Sequence, residues 1–335
     1  MTTIKEIAAK SGFSPATVSR LLNNDPRLSV TPETKSKILK VANELGYFKK
    51  INNVSELKPE IALLYRVNGN EQLQDEYFSF LRDAVNKVGE EKGIKLTLFT
   101  EFNKLIHQAS IFQGFIGVGT AELTYKELEK LHDVLPNGVF IDINPAPQLF
   151  DSVQPNLELT VQDAIKKLIA HGYNNLCYIG AESFTLDHQP QRDIREITFT
   201  EYCKTQGIKN VKVFAKGIVS VKNGYDLAKE VVNKLGEKLP DAFIIASDTL
   251  SVGVLQYFNE VGIRVPKDTA IISINNIDVV KYVSPPLTSY NIDQIALSKL
   301  AISVLLMRIT NSDLPKVHLT MNTNLVIRKS FNEVH

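Results

Sequence analysis

The stretch Thr3-Ile4-Lys5-Glu6-Ile7-Ala8-Ala9-Lys10-Ser11-Gly12-Phe13-Ser14-Pro15-Ala16-Thr17-Val18-Ser19-Arg20-Leu21-Leu22-Asn23 decides how this chain is read. Thr3 followed three residues later by Glu6 has the spacing of a capping box, in which hydroxyl and carboxylate each satisfy a free amide at a helix start. Ile4, Ile7 and Ala8 then share one helical face, and Ser11-Gly12-Phe13 interrupts the helix. Ser14 caps a second helix with Pro15 in its first turn, where a missing N–H costs nothing. In that helix Val18, Leu21 and Leu22 face inward, leaving Pro15, Ala16, Thr17, Ser19 and Arg20 outside. A third helix starts at Thr31-Pro32, buries Ile38, Val41, Ala42 and Leu45, and stops at Gly46. Two short helices about a glycine-bearing turn make a helix-turn-helix, which presents its second helix to a DNA major groove. A small three-helix bundle without that role has the same turns and caps.

Charge tilts the balance modestly toward the first reading. Residues 1–50 hold nine lysines and arginines against four carboxylates, a net of +5, whereas the whole chain carries 38 against 37. The remainder is therefore net −4, and a basic end on a slightly acidic body is what phosphate binding requires.

At 335 residues the chain is long enough for two or three domains, and 44% hydrophobic residues supply real cores. No apolar run approaches the roughly 18 to 20 residues that span a bilayer. The polar, helical start lacks an export signal, so a cytoplasmic protein without a membrane partner is expected. Cys177 and Cys203 read as small buried hydrophobes rather than a bridge. His107, His132, His171, His188, His318 and His335 have no metal-ligand spacing, so no metal site is expected. There is no nucleophile elbow, P-loop or H-E-x-x-H, and Gly117-x-Gly119 lacks the third glycine of a dinucleotide loop. Neither a cofactor nor enzymatic activity is expected.

Residues 48–59 are polar and read as a linker or a short conditional helix. Beyond them, apolar runs predict strands at 61–65, 95–99, 114–118, 139–143, 176–179, 211–214, 242–246 and 270–274. Amphipathic periodicity predicts helices over 77–92, 124–134, 159–171, 195–205, 224–235, 251–261 and 294–309. Short apolar strands alternating with helices indicate an α/β body of parallel sheets covered on both faces, long enough for two subdomains. Ligands in such folds bind beyond the carboxyl ends of the strands. Those positions are Arg66, Asn68, Gly119, Thr120, Asp142, Asn144, Glu182, Ser247, Asp248, Asn275, Asn276 and Asp278, a set rich in the amides and carboxylates that a polyhydroxylated ligand needs.

With these motifs the chain resembles the lac/galactose repressor family of bacterial transcription regulators over essentially its whole length. Ile4 to Ala8, Ser14 to Asn23 and Glu44-Leu45-Gly46-Tyr47 carry the likeness in the headpiece. In the body it rests on Asp151-Ser152-Val153, Ala170-His171-Gly172-Tyr173, Tyr178-Ile179-Gly180, Arg195 four residues before Phe199, Ala246-Ser247-Asp248, Ser284-Pro285-Pro286-Leu287-Thr288 and Leu325-x-x-Arg328-x-Ser330. The loop 25–32 is similar to that of galactose-type regulators of Gram-positive bacteria.

The resemblance implies a cytoplasmic homodimeric repressor bound to a near-palindromic double-stranded operator. Its body would be like a periplasmic sugar-binding protein, with allosteric control by a small molecule between two lobes. It implies a headpiece at 1–49, a hinge at 50–59, a first lobe from 60–155 and 288–318, and a second lobe from 156–287 and 319–335. Pro15, Ala16, Thr17 and Arg20 would approach base edges, with Thr3, Ser14, Ser19, Asn23, Ser29 and Thr34 near phosphates. Ligand contacts would map to Asp142, Arg195, Phe199, Asp248 and Asn275, with Tyr77 and Tyr290 as further candidates. Phe199 and Tyr290 serve equally as core packing, and Asp142 and Asp248 equally as turn caps. Galactose or a galactoside is the expected effector, with a purine or another metabolite as the alternative.

Three features depart from the family pattern. Residues 49–59 lack the small-residue hinge helix whose leucine wedges into the minor groove, Leu57 being followed closely by Pro59. Asn275-Asn276 stands where an acidic pair is common. The chain ends without the leucine heptads that build a tetramer.

Overall fold

The helix caps form as their spacing dictates. In the computed structural model, which describes residues 3–22, 28, 30–45, 59–67, 72–119, 123–184, 189–236, 238–311 and 313–331, α1 (Ile4–Ser11) opens on Thr3. The Thr3 N–H donates to Glu6 Oε2 at 2.8 Å and the Glu6 N–H to Thr3 Oγ1 at 3.3 Å. Gly12, at φ 79°, ends the helix in a left-handed conformation that disfavours a side chain. Ser14 caps α2 (Pro15–Leu22) by accepting from the Thr17 N–H at 3.1 Å, and Thr31 caps α3 (Pro32–Glu44) by accepting from the Thr34 N–H at 3.3 Å. Helices this short are held by packing rather than propensity. Ile7, Ala8, Val18, Leu21, Ile38, Val41 and Ala42 form their shared core. Asn23, Ser29, the expected stop at Gly46 and the linker 50–58 lie outside the described residues.

Residues 1–58 form one compact unit and residues 59–335 another. The second begins with β1 (Glu60–Tyr65), α4 (Gln72–Glu91), β2 (Lys95–Phe99), α5 (Phe102–Gln108), β3 (Gly114–Val118), α6 (Tyr125–Val134), β4 (Gly138–Ile141) and β5 (Asp151–Pro155). It continues through α7 (Leu157–Ala170), β6 (Asn175–Gly180), the short strands β7 (Ser183–Phe184) and β8 (Pro190–Gln191), α8 (Ile194–Thr205), β9 (Asn210–Ala215), α9 (Val221–Leu235), β10 (Ala242–Ile245), α10 (Asp248–Glu260) and β11 (Ala270–Asn275). It closes with β12 (Thr288–Asn291), α11 (Gln294–Thr310), β13 (His318–Met321) and β14 (Asn324–Val326).

The first sheet has the order β13-β5-β4-β3-β1-β2 and is parallel throughout. The second has the order β14-β12-β11-β10-β6-β9, parallel except for the antiparallel β14. β3, β4 and β10 are buried along their whole length, which is why they read as unbroken apolar runs.

Among the described residues the chain passes between the sheets after β5, after β12 and after β13. The expected division before residue 288 is corrected: Thr288 to Asn291 pairs with Ile272 to Asn275 and belongs to the second sheet. The division after residue 318 also moves, because His318 to Met321 pairs with Ser152 to Pro155 in the first sheet. Hydrogen bonds tie the crossing segments together. The Asn156 N–H donates to Met321 O at 2.8 Å, Thr160 and Thr323 share a hydroxyl contact at 2.8 Å, and Asn291 Nδ2 donates to Asn324 Oδ1 at 3.4 Å.

Two packing features fix the lobes. α9 and α10 cross so closely at Gly224 and Gly253 that a Cβ on Gly253 would lie 1.9 Å from the Val221 carbonyl oxygen. In the first lobe the buried Arg308 guanidinium donates from Nε and Nη2 to the two Asp151 oxygens at 2.8 Å each. Asp151 also accepts from the Val317 N–H at 2.7 Å, so neither charge is left uncompensated.

Candidate functional site

On the helix-turn-helix unit, Pro15, Ala16 and Arg20 are exposed on α2, and Thr17 and Ser19 are half-buried. The exposed face is thus the one opposite Val18 and Leu21, and Arg20 lies in its last turn. Thr3 and Ser14 already serve as caps. Ser14 Oγ also contacts Thr17 Oγ1 at 2.9 Å, and Thr31 Oγ1 donates to Thr34 Oγ1 at 3.1 Å. Hydroxyl O–H groups and neighbouring first-turn amides at these helix N-termini are donors suited to a phosphate oxygen.

The body holds a cavity of about 660 Å³ at the carboxyl ends of strands from both sheets. Tyr77, Asp142, Gln154 and Thr320 line it from the first lobe, and Glu182, Asp193, Arg195, Ser247 and Asn275 from the second. Tyr77 is positioned by α4, and its hydroxyl donates to Asp142 Oδ1 at 3.1 Å. Asp142 follows β4 at φ 74° and is half-buried, with its carbonyl accepting from Gln154 Nε2 at 2.9 Å. Burial raises the Asp142 carboxyl above the usual range, and the Tyr77 hydrogen bond and Arg195 charge oppose that rise. Burial and the adjacent Asp142 push the Tyr77 phenol well above its ordinary value, so it stays a donor.

Arg195 lies at the start of α8 beside its capping residue. Its Nε donates to Asp193 Oδ1 at 2.7 Å, its Nη2 to Asp193 Oδ2 at 2.9 Å, and its Nη1 to the Ala246 carbonyl at 2.7 Å. Asp193 Oδ1 also accepts from the Arg195 N–H at 2.8 Å, closing the helix end. Burial disfavours both charges, but the Asp193 carboxylate outweighs this for Arg195, and the Arg195 guanidinium outweighs it for Asp193. The pair is held ionised on the cavity wall.

Of the sequence-predicted ligand residues, Tyr77, Asp142, Arg195 and Asn275 come together on this cavity. Phe199, Asp248 and Tyr290 do not line it, which corrects three expectations. Phe199 is 0% exposed and packs on Tyr178 with ring centroids 5.5 Å apart, so its face is unavailable. Tyr290 is buried, and its hydroxyl donates to Asp163 Oδ2 at 2.6 Å. Asp248 is 0% exposed and accepts from the Ile277 N–H at 2.8 Å and the Ser289 hydroxyl at 2.7 Å. It clamps the turn that carries Asn275 at φ 113° and Asn276 at φ 58°. Of the strand-end set, Asn144 turns back to donate to the Phe150 carbonyl at 3.0 Å, Asn276 accepts from Arg328 Nη2 at 2.7 Å, and Asn68 and Thr120 lie outside the described residues.

Sequence reasoning missed Asp193, Gln154 and Thr320. Asp193 had a usable signal, an Asp immediately before a helix start and two residues from Arg195. Gln154 and Thr320 sit on short strands of mixed polar and apolar residues that no apolar run marks.

A model for lacI-family bacterial regulatory proteins matches residues 3–49, and one for a periplasmic binding protein-like domain matches residues 165–331. The HTH-type transcriptional regulator LacR of Lactobacillus helveticus is 55% identical over 331 residues, covering 99% of this chain and 98% of that protein. The HTH-type transcriptional regulator GanR of Bacillus subtilis is 39% identical over 334 residues, covering 99% and 100%. The chain belongs to the lacI family of bacterial transcriptional regulators. Its fold matches the lac repressor dimer bound to operator and an anti-inducer, with a TM-score of 0.66 and 18% identity, covering 98% of each chain. It also matches the regulator CelR in complex with cellobiose, with a TM-score of 0.64 and 22% identity, covering 99% and 100%. In this lacI-family regulator the helix-turn-helix and the α/β body are separate units. Among the described residues no helix is long and apolar enough to cross a membrane.

Proposed function

We propose that this regulator is a cytoplasmic, non-enzymatic homodimeric repressor of carbohydrate-utilisation genes, and that a small sugar, galactose or a galactoside, controls it from the cavity between its lobes. The observation that carries the ligand class is the cavity wall itself. Asp142, Asp193, Gln154, Asn275 and Arg195 converge as paired donors and acceptors, the complement of vicinal hydroxyls. Nothing in this set resembles a catalytic nucleophile with its base. The relatives named LacR and GalR support the sugar class.

On the DNA side, Pro15, Ala16, Thr17 and Arg20 would meet base edges, with Thr3, Ser14, Ser19, Asn23, Ser29 and Thr34 near the backbone. Residues 1–49 act as the headpiece and 50–59 as its connection to the body. Two headpieces of a dimer read a near-palindromic site because two-fold protein symmetry imposes two-fold half-sites. Gel-shift titration of the full chain on DNA flanking its own gene tests the reading. Retarded DNA released by galactose or lactose is the expected result. Binding that no sugar alters, while hypoxanthine strengthens it, would replace the sugar with a purine.

A further inference from the structure

The sugar reading leaves open whether the effector is a free sugar or a phosphate ester, and the charge of the cavity bears on this. Among the described residues, Asp142, Glu158, Glu182 and Asp193 line it against Arg192 and Arg195, a net of −2, and no lysine contributes. Both guanidiniums are already engaged. Arg192 donates from Nε to Glu196 Oε1 at 2.6 Å and from Nη2 to Thr200 Oγ1 at 2.9 Å, turned along the outside of α8. Arg195 presents its Nε and Nη2 edge, the edge that grips a phosphate bidentately, to both oxygens of Asp193. Displacing Asp193 would leave a largely buried carboxylate without its partner beside an incoming dianion.

Helix N-termini are the other structures that attract phosphate, and α7, α8 and α10 all begin at this cavity. Each already carries a cap that takes up one of its first-turn amides. Asn156 accepts from the Leu159 N–H at 3.0 Å, Asp193 from the Arg195 N–H at 2.8 Å, and Ser247 from the Leu250 N–H at 3.4 Å. At α8 the closing group is itself an anion, so the helix dipole there is already compensated.

We infer that the cavity selects neutral sugars and rejects their phosphate esters, with Asp193 as the specificity-determining residue through its bidentate hold on Arg195. This deepens the sugar reading and rests on it. The effector must then reach the protein before any phosphoryl-transfer step acts on it, which places the sensor upstream of sugar kinases and requires a sugar that enters without phosphorylation. Arg195 retains unassigned N–H groups on Nη1 and Nη2 and Asp193 keeps spare lone pairs, enough to bind a hydroxyl pair without breaking the ion pair.

Calorimetric titration of the full-length protein with galactose, lactose, galactose 1-phosphate and galactose 6-phosphate tests this. The neutral sugars are expected to bind, with the esters weaker by at least about 100-fold, the scale of a like-charge clash at a desolvated site. Asp193→Asn keeps a capping side chain but frees the Arg195 edge, and should narrow that ratio at least about tenfold. Esters binding as tightly as free sugars would overturn the inference while leaving the sugar reading intact, and so would an unchanged ratio in a folded Asp193→Asn protein. If no sugar or ester binds, both fail together. The wild-type ratio decides the matter even where the variant does not fold.

Discussion

Asp248 ends up at a strand end, where ligand-contacting carboxylates commonly sit, yet its acceptors all face inward. The difference between contact and anchor is a matter of which donors reach it. Here the Ile277 amide and the Ser289 hydroxyl do, and burial pushes its carboxyl up to about 6 although these hydrogen bonds oppose the rise. Because the folded carboxyl holds its proton more tightly than the unfolded one, its contribution to stability is full below about pH 4 and is lost as pH rises through about 6. Asp248→Asn can keep an acceptor toward Ile277 and turn its amide to the Ser289 hydroxyl. Its stability relative to wild type should therefore increase by up to about 3 kcal/mol between pH 4 and pH 7, read by urea denaturation at both values. Parallel curves would show that the charge carries no cost. At the other site, Arg20→Ala should lose operator preference by about 1–3 kcal/mol and leave sugar affinity unchanged. Unaltered footprinting specificity would remove Arg20 from base recognition.

At the scale of elements, spacing alone gave the caps of α1 and α2, because a capping box is a local reaction between groups three residues apart. The fully buried strands were equally plain. β5, β12 and β13 were not, since Asp151-Ser152-Val153-Gln154-Pro155, Thr288-Ser289-Tyr290-Asn291 and His318-Leu319-Thr320-Met321 mix polar and apolar residues without a clear period. Their polar groups are satisfied by partners far along the chain, as when Ser152 Oγ meets His318 Nδ1 at 3.0 Å. The α9–α10 crossing is likewise invisible locally. Gly253→Ala should cost about 2 kcal/mol or more in denaturant melts, because the backbone contact at Val221 outweighs the roughly 1 kcal/mol gained in helix propensity. A neutral or stabilised variant would mean that the helices separate at little cost.

For the whole molecule, the division into residues 1–58 and 59–335 predicts that the two activities separate. A fragment of residues 59–335 should fold cooperatively and bind sugar with the affinity of the full chain, while failing to retard operator DNA. Loss of sugar binding in a folded fragment would mean that the headpiece contributes to the cavity. The sequence by itself determined the helix-turn-helix, the α/β class of the body and, from strand ends, Asp142, Glu182, Ser247 and Asn275 on its cavity, because caps, periodicity and strand ends are read over a few neighbouring positions. Only the tertiary structure decided that Phe199, Asp248 and Tyr290 stand behind the wall, that Asp193 stands in it, and where the chain crosses between the sheets. Those outcomes depend on which distant groups satisfy each buried donor, acceptor and ring, and that pairing is fixed by packing in three dimensions.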